Sequence, residues 1–188
     1  MTGKLFVISS PSGCGKGTLI AKLLEHCDNI WLSVSATTRK PRSGEVDGVN
    51  YYFLDQKRFE EMIDNGELIE WAKYSGNYYG TPKKYIDEHL NKGENVILEI
   101  EVVGAKNIKK MHPDSTLIFI KPPSMEELER RLRGRGTEDE DSIKKRLETA
   151  RFELSQAEIY DYVVVNDSLE DACRELEQII FDNQHSIY

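Results

Sequence analysis

A glycine-rich run near the start of the chain has the residue types that bind phosphate. It reads Ser9-Ser-Pro-Ser-Gly-Cys-Gly-Lys-Gly-Thr18. Gly13 and Gly15 let backbone N–H groups turn towards an anion, and Lys16 adds a full positive charge. The apolar run Leu5–Ile8 predicts a strand before it, and a helix is predicted after it, whose N-terminal end also favours anions. The run is a candidate nucleotide phosphate loop; the alternative is a glycine-rich turn without a ligand.

The run departs from the strict phosphate-loop pattern at two positions. Ser10 stands where a glycine is expected, and Gly17 stands where a serine or threonine would face a metal, with Thr18 next. The phosphate loop is therefore better supported than a metal-facing hydroxyl. A helix N-terminus could lower the thiol pKa of Cys14, although a side chain at a variable loop position is the simpler interpretation.

Two groups of arginines could hold further phosphate oxygens. Arg39 and Arg42 lie three residues apart beside a proline, and guanidinium groups bind phosphate through paired hydrogen bonds. Four arginines lie within Arg130-Arg-Leu-Arg-Gly-Arg135, with Arg146 further on, an arrangement that suits a lid over a triphosphate. The alternatives are a solvated basic turn, favoured for the first pair taken alone, and a basic helix end with a solvated loop.

Two carboxylates lie in apolar runs, and a tyrosine-rich segment follows the first. Glu70, in Leu68-Ile-Glu-Trp71, could accept the N1–H and exocyclic amine of guanine together, an edge that adenine lacks; alone it is better explained as a salt-bridged surface residue. Asn77-Tyr-Tyr-Gly-Thr81 offers hydroxyls to phosphate or simply packs. The run Val96–Glu101 ends in a carboxylate, as Mg²⁺-orienting strands do; an acid that caps a loop is the alternative.

Apolar and amphipathic segments alternate along the chain, which predicts a parallel sheet covered on both faces. Strands are predicted at Leu5–Ser9, Trp31–Ser35, Asn95–Ile100, Thr116–Ile120 and Tyr162–Val165. Helices are predicted at Thr18–His26, Val103–Met111, Met125–Arg133, Asp141–Ile159 and Leu169–Phe181, with Ser124 and Ser168 as caps. Residues 36–90 break this alternation with tyrosines, short extended pieces and a helix near Gln56–Asn65, so they predict an inserted mixed lobe.

The composition limits the class of protein. The chain has 188 residues, 39% hydrophobic and 31% charged, which favours a packed domain over disorder. Its net charge of −8 argues against a nucleic-acid partner, and no apolar run approaches the ~20 residues of a membrane span. Three cysteines without metal-ligand spacing, and no signal peptide, predict a location in the reducing cytoplasm.

Taken together, these residues resemble guanylate kinase over nearly the whole chain. The most specific segments are Ser33–Arg39, Gly44–Gly48, Gly76–Gly80, Arg133–Gly136 and Val164–Asp167. The resemblance implies a P-loop α/β three-layer sandwich with a central parallel five-stranded sheet, an inserted small mixed α+β GMP-binding lobe and a helical lid. The implied boundaries are a core of residues 1–35 and 92–188, a lobe of about 36–91 and a lid of about 133–150.

The resemblance also implies roles for individual residues. The implied catalytic residues are Lys16, Arg42, Arg135 and Arg146. The implied ATP-binding residues are Ser12, Gly13, Cys14, Gly15, Lys16, Gly17, Thr18, Arg135 and Asn166. The implied GMP-binding residues are Ser35, Arg39, Arg42, Tyr51, Glu70, Tyr79, Thr81 and Glu101. Thr18 and Glu99 are the implied Mg²⁺ residues, acting through water; the family often has Asp at positions 99 and 101 and Ser or Thr at position 17.

The implied reaction is reversible, Mg²⁺-dependent transfer of the ATP γ-phosphoryl group to GMP or dGMP, within purine nucleotide metabolism. The expected partners are these small molecules, with no membrane partner and with either a monomer or a homodimer as the assembly. Two alternatives remain open. Guanylate kinase-like scaffolds bind phosphorylated peptides without catalysis, although Lys16 and the lid arginines argue against that class. A kinase for another nucleoside monophosphate is the second alternative, and Glu70 argues against it.

Overall fold

The structure is a computed structural model that describes residues 2–74, 76–134 and 139–182. The strands are β1 (Leu5–Ser9), β2 (Ile30–Leu32), β3 (Ala36–Thr37), β4 (Tyr52–Phe53), β5 (Leu68–Tyr74), β6 (Asn77–Pro82), β7 (Asn95–Glu99), β8 (Thr116–Lys121) and β9 (Tyr162–Val165). The helices are α1 (Lys16–His26), α2 (Gln56–Asp64), α3 (Lys83–Asn91), α4 (Val102–Met111), α5 (Met125–Gly134), α6 (Glu140–Ser155) and α7 (Leu169–Asp182). No helix within these described ranges is both long and apolar enough to cross a membrane.

One sheet has five parallel strands in the order β2–β7–β1–β8–β9. In its register, Ile8 lies beside Ile118 on β8, and Phe119 lies beside Val163 on β9. All five residues of β1 are buried, so the side chains on both faces of this strand are covered. Such two-sided burial is typical of a parallel strand between helical layers, and the predicted α/β fold class is confirmed.

A second sheet is mixed and has the strand order β4–β3–β6–β5. Strands β5 and β6 form an antiparallel pair whose register is irregular between Leu68 and Glu70. Strand β3 pairs in parallel with β4 and antiparallel with β6. This sheet lies within residues 36–90, for which an inserted mixed α+β lobe was predicted, and it carries Glu70, Tyr79 and Thr81 on neighbouring strands.

The chain forms two compact units. The first unit comprises Met1–Leu5 and Asn29–Ser115, and it contains the mixed sheet with α2, α3 and α4. The second unit comprises Phe6–Asp28 and Thr116–Tyr188, and it contains the glycine-rich loop with α1, α5, α6 and α7. Within the second unit, Lys22 on α1 forms an ion pair with Glu170 on α7.

Two predicted boundaries are wrong. The strand predicted to reach Ser35 ends at Leu32, because the Ser35 carbonyl accepts the amide of Tyr52, in the mixed sheet, at 2.9 Å. The helix predicted to reach Ile159 ends at Ser155 and is followed by a short 3₁₀ turn.

Helix α3 was not predicted, whereas two helix caps were. The α3 N-cap is Pro82, whose ring cannot donate or accept a capping bond, and Ile86 is the residue that α3 buries. The segment therefore lacks both a cap signal and a periodic apolar face. The caps at Ser124 and Ser168 are confirmed, since their hydroxyls accept the amides of Glu127 (3.1 Å) and Asp171 (3.4 Å).

Candidate active site

The loop between β1 and α1 adopts the backbone conformation that its glycines predict. Gly13 and Gly15 have φ angles of 96° and 80°, in the left-handed region that favours glycine. A Cβ at Gly15 would also lie 2.8 Å from Nδ2 of Asn166, so the site excludes a side chain there. Helix α1 begins at Lys16, directly after the loop. The loop therefore combines positive-φ glycines, a lysine and a helix N-terminus, as a phosphate cradle requires.

Asn166 connects the phosphate loop to the end of β9. Its side-chain Nδ2 donates to the carbonyl oxygen of Cys14 at 2.7 Å, and only 5% of the residue is exposed. The backbone carbonyl oxygen of Asn166 accepts a hydrogen bond from Nη1 of Arg131 at 2.9 Å. The side chain of Asn166, predicted to bind ATP, thus braces the phosphate loop.

A cavity of about 310 Å³ lies beside the loop in the second unit. Its lining residues are Gly13, Gly15, Thr18, Arg131, Asn166, Asp167 and Leu169. Arg131 and Asp167 had no predicted role. Arg131 stands in the predicted arginine cluster, but the spacing of four arginines does not show which one faces a cavity. Here Nε of Arg131 donates to Glu127 at 2.7 Å, which orients the guanidinium.

Cys14 is buried beneath the phosphate loop. Its side chain belongs to an apolar cluster whose other members are Leu128, Leu132, Ile143, Leu147 and Ala150, on α5 and α6. Burial raises the pKa of the Cys14 thiol to about 12, outweighing the positive charges of Arg131 and Lys16. A lowering of this pKa by the helix N-terminus, the less simple of the two interpretations, is therefore ruled out, because the side chain packs in the apolar cluster.

Arg39 lies between a carboxylate and aromatic rings in the first unit. Nη1 and Nη2 of Arg39 donate to the two carboxylate oxygens of Glu45, at 3.0 and 2.8 Å. The guanidinium carbon lies 5.4 Å from the centre of the Tyr51 ring, and the Tyr51 and Tyr79 rings meet edge to face at 6.2 Å. Glu45 also accepts the backbone amide of Arg42 at 2.7 Å, and these bonds lower the Glu45 pKa.

These contacts bring together Arg39, Tyr51 and Tyr79, which were predicted to bind GMP. Arg42, also predicted to bind GMP, is exposed. Glu45, which holds Arg39, had no predicted role. The turn that carries it was noted in the sequence, but a carboxylate in a turn does not reveal which arginine it will bind.

Glu70 is a buried carboxylate with a defined partner. Glu70 is 7% exposed, and Oγ1 of Thr81 donates a hydrogen bond to Oε1 of Glu70 at 2.8 Å across the β5–β6 pair. Burial raises the pKa of Glu70 to about 7 although the Thr81 hydrogen bond favours the charged form. The interpretation of Glu70 as a salt-bridged surface residue is therefore wrong. A carboxylate held in this way suits a ligand that brings its own pair of donors.

The two carboxylates predicted after the apolar run of β7 are exposed. Glu99 is the last residue of β7, and Glu101 is the N-cap residue of α4. Thr18 is exposed on α1 and lines the cavity beside the phosphate loop. Among the described residues, no three His, Cys, Asp or Glu side chains cluster in a way that could hold a metal ion.

The remaining predicted residues lie in the second unit or outside the described residues. Lys16 and Arg146 are half-buried, on α1 and α6, while Ser12 is exposed. Gly17 is exposed, and a Cβ built there would meet nothing within 4 Å. Arg135 lies outside the described residues, as do positions 136–138 of the predicted lid.

The two units separate the predicted residues by substrate. The described residues predicted for ATP are all in the second unit: Ser12, Gly13, Cys14, Gly15, Lys16, Gly17, Thr18 and Asn166. The residues predicted for GMP are all in the first unit: Ser35, Arg39, Arg42, Tyr51, Glu70, Tyr79, Thr81 and Glu101. The described residues that were predicted to bind one substrate therefore all lie within one compact unit.

Known proteins are similar to this chain over most of its length. The family model described as Guanylate kinase matches residues 2–183. The chain is 52% identical over 175 residues to the guanylate kinase of Prochlorococcus marinus (strain NATL2A), covering 93% of this chain and 94% of that protein. It is 51% identical over 185 residues to that of Clostridioides difficile (strain 630), covering 98% and 90%.

A solved structure shows the same similarity. The crystal structure of guanylate kinase from Anaplasma phagocytophilum superimposes with a TM-score of 0.80 at 41% identity, covering 97% of this chain and 87% of that one. The family match, the relatives and the shared fold extend over nearly the whole chain. The chain therefore belongs to the guanylate kinase family, the phosphotransferases that move a phosphoryl group from ATP to GMP.

Proposed function

We propose that the chain carries out the phosphoryl transfer of its family with GMP bound by residues of the first unit and Mg²⁺-ATP by residues of the second. The observation that carries this proposal is the buried Glu70 carboxylate. It would accept the N1–H and the exocyclic amine of guanine, and the Thr81 hydroxyl would hold it in place. Adenine, cytosine and uracil do not offer that donor pair.

The phosphate of GMP needs positive charge and hydroxyl donors. Arg39, Arg42, Tyr51 and Tyr79 would supply them, and guanidinium groups suit the two-oxygen geometry of a phosphate. In the described structure Glu45 occupies both outer nitrogens of Arg39. GMP would therefore have to share or replace this ion pair. Ser35 and Glu101 would complete the guanine contacts.

The triphosphate of ATP suits the phosphate loop. Backbone amides from Gly13 to Thr18, together with Lys16, would surround its oxygens, and the arginines predicted for the lid, Arg135 and Arg146, would neutralise the transferring group. The hydrogen bond from Asn166 to the carbonyl oxygen of Cys14 would hold the loop backbone in place. These roles account for the positive-φ glycines and for the brace at the end of β9.

Mg²⁺ would fit an oxygen donor such as Thr18 beside the loop. The ion prefers hard oxygen ligands and usually keeps several waters beside substrate phosphates, so it does not require a cluster of protein carboxylates. Thr18 is exposed and lines the cavity beside the loop, so its hydroxyl fits ligation through water. Glu99, the other residue predicted for Mg²⁺, is an exposed carboxylate of the first unit, and its part in ligation stays a prediction. When bound, Mg²⁺ would neutralise charge on the β and γ phosphates.

The chemistry needs positioning more than proton transfer. The acceptor oxygen of GMP is already anionic, so no dedicated general base is required. The residues of this chain would align the acceptor with the γ-phosphorus and stabilise the charge that develops during transfer. We also propose that the chain is divided into a core, a GMP-binding lobe and a lid. Closure of the lobe and the lid would exclude water, which could otherwise hydrolyse ATP.

The test is ADP formation from Mg²⁺-ATP with GMP, AMP, UMP or CMP offered separately to the purified chain. Turnover with GMP is expected, with little or none for the other three. Turnover with another monophosphate would contradict the role of Glu70 and leave the phosphate loop intact. Binding of GMP or a phosphopeptide without any turnover would instead favour the scaffold class. Use of dGMP, the oligomeric state and a cytoplasmic location stay predictions.

A further inference from the structure

Gly104 lies against the carboxylate of Glu70. It is the third residue of α4 and is buried. A Cβ built at this position would lie 2.9 Å from Oε2 of Glu70, 3.4 Å from its carboxyl carbon and 3.2 Å from Cδ1 of Ile100. The first distance is shorter than real Cβ contacts, so any side chain at position 104 would displace the carboxylate.

The backbone does not explain why a glycine stands here. The φ angle of Gly104 is outside the left-handed region, so its helical conformation is open to any residue. Glycine inside a helix is less favourable than alanine by about 1 kcal/mol. Local stability therefore favours alanine at position 104, but a Cβ there would require the Glu70 carboxylate to shift.

The carboxylate is thus confined on two sides within the first unit. Oε1 accepts the hydroxyl of Thr81 at 2.8 Å, and Oε2 faces the bare backbone of Gly104. The same helix begins directly after Glu101, a second predicted guanine-binding residue. A shift of the Glu70 carboxylate away from α4 would also disturb its bond to Thr81.

We propose that Gly104 is a positioning residue: it leaves the space that the Glu70 carboxylate occupies, and the position of that carboxylate determines the preference for guanine. This inference rests on the proposed guanine-binding role of Glu70. An added methyl group at position 104 would move Oε2 away from the place where it would accept the exocyclic amine of guanine in the proposed complex. The selectivity between GMP and IMP reports this directly, because the base of IMP keeps N1–H but lacks the exocyclic amine.

The experiment compares kcat and KM for GMP and IMP in the unmodified chain, Gly104→Ala and the control Val103→Ala. Val103 is the neighbouring residue on α4, and it is 58% exposed. In Gly104→Ala we expect the KM for GMP to rise about tenfold or more, as for a lost hydrogen bond to a charged group, with a smaller change in kcat. The GMP-to-IMP ratio of kcat/KM should fall, and KM for ATP should stay unchanged. Val103→Ala should retain the selectivity of the unmodified chain.

A double variant separates displacement of the carboxylate from general damage to the fold. Glu70→Asp shortens the carboxylate by one methylene and frees the space at position 104. Adding Gly104→Ala to Glu70→Asp should therefore change the urea midpoint and the KM for GMP much less than it does in the unmodified chain. An equal effect in both backgrounds would overturn the inference, even if Gly104→Ala alone folds poorly.

Two failures can be told apart. If the unmodified chain uses GMP and IMP equally well, the proposed role of Glu70 fails. If the unmodified chain prefers GMP and Gly104→Ala prefers it to the same degree, only the role of Gly104 fails.

Discussion

Replacing Glu70 by glutamine should stabilise the unliganded chain at alkaline pH. Burial raises the pKa of this carboxyl from 4.5 to about 7, so the folded chain holds a proton that the unfolded chain releases. A tenfold change in an ionisation equilibrium is worth about 1.4 kcal/mol. Keeping Glu70 ionised in the folded state therefore costs about 3 kcal/mol.

The direction of this stability change follows from the number of protons that each state binds at Glu70. Between pH 4.5 and 7 the folded state binds more protons at Glu70 than the unfolded state, so the free energy of unfolding falls as the pH rises. This decrease in the free energy of unfolding is complete above the pKa that Glu70 has in the folded state. Glutamine does not titrate and can still accept the Thr81 hydroxyl. The stability of Glu70→Gln relative to the unmodified chain should therefore rise by about 3 kcal/mol from pH 4.5 to pH 8.5.

Urea unfolding without nucleotides, at several pH values across this range, measures the difference. Glu88→Gln is the matched control, because Glu88 is exposed on α3. The control should follow the unmodified chain at every pH. Parallel curves for Glu70→Gln and the unmodified chain would refute the burial argument, since they would mean that Glu70 ionises equally easily in both states.

Three further predictions concern the phosphate loop. Asn166→Ala removes the bond to the Cys14 carbonyl, so it should cost about 1–3 kcal/mol in urea unfolding and raise the KM for ATP more than that for GMP; equal KM changes would argue against the brace. Iodoacetamide at pH 8 should leave Cys14 unmodified in the native chain, as judged by peptide mass spectrometry, because its thiol is buried and protonated. Gly17→Ser should stabilise the chain by about 0.5 kcal/mol, because the space at its Cβ is open and serine favours helix over glycine; a lower urea midpoint would contradict this.

The features that could be predicted from the sequence are those determined by residues close together in the chain. The phosphate loop follows a five-residue apolar strand and opens a helix, so its strand–loop–helix context could be predicted from neighbouring residues alone. Serine caps and long amphipathic helices were predictable for the same reason. Helix α3 was missed because Pro82 provides no cap and Ile86 alone does not make a periodic face.

The site contacts depend on residues that are distant in sequence or indistinguishable from their neighbours. The hydrogen bond between Glu70 and Thr81 depends on a strand register that contains an irregularity. The role of Arg131 could not be separated from that of adjacent arginines by spacing. The raised pKa of Cys14 could not be predicted, because the helix terminus is visible in the sequence and the apolar cluster beneath it is not.

The brace between Asn166 and Cys14 also has a consequence for synthesis of the chain. It joins residues 152 positions apart, and β8 and β9, which complete the parallel sheet beside β1, lie beyond residue 115. A ribosome therefore releases the phosphate loop early and the residue that fixes it late, after all of Asn29–Ser115 has emerged. We expect the nascent chain to carry an unfinished second unit through most of translation, with the apolar side chains of β1 and α1 available to chaperones until β9 emerges.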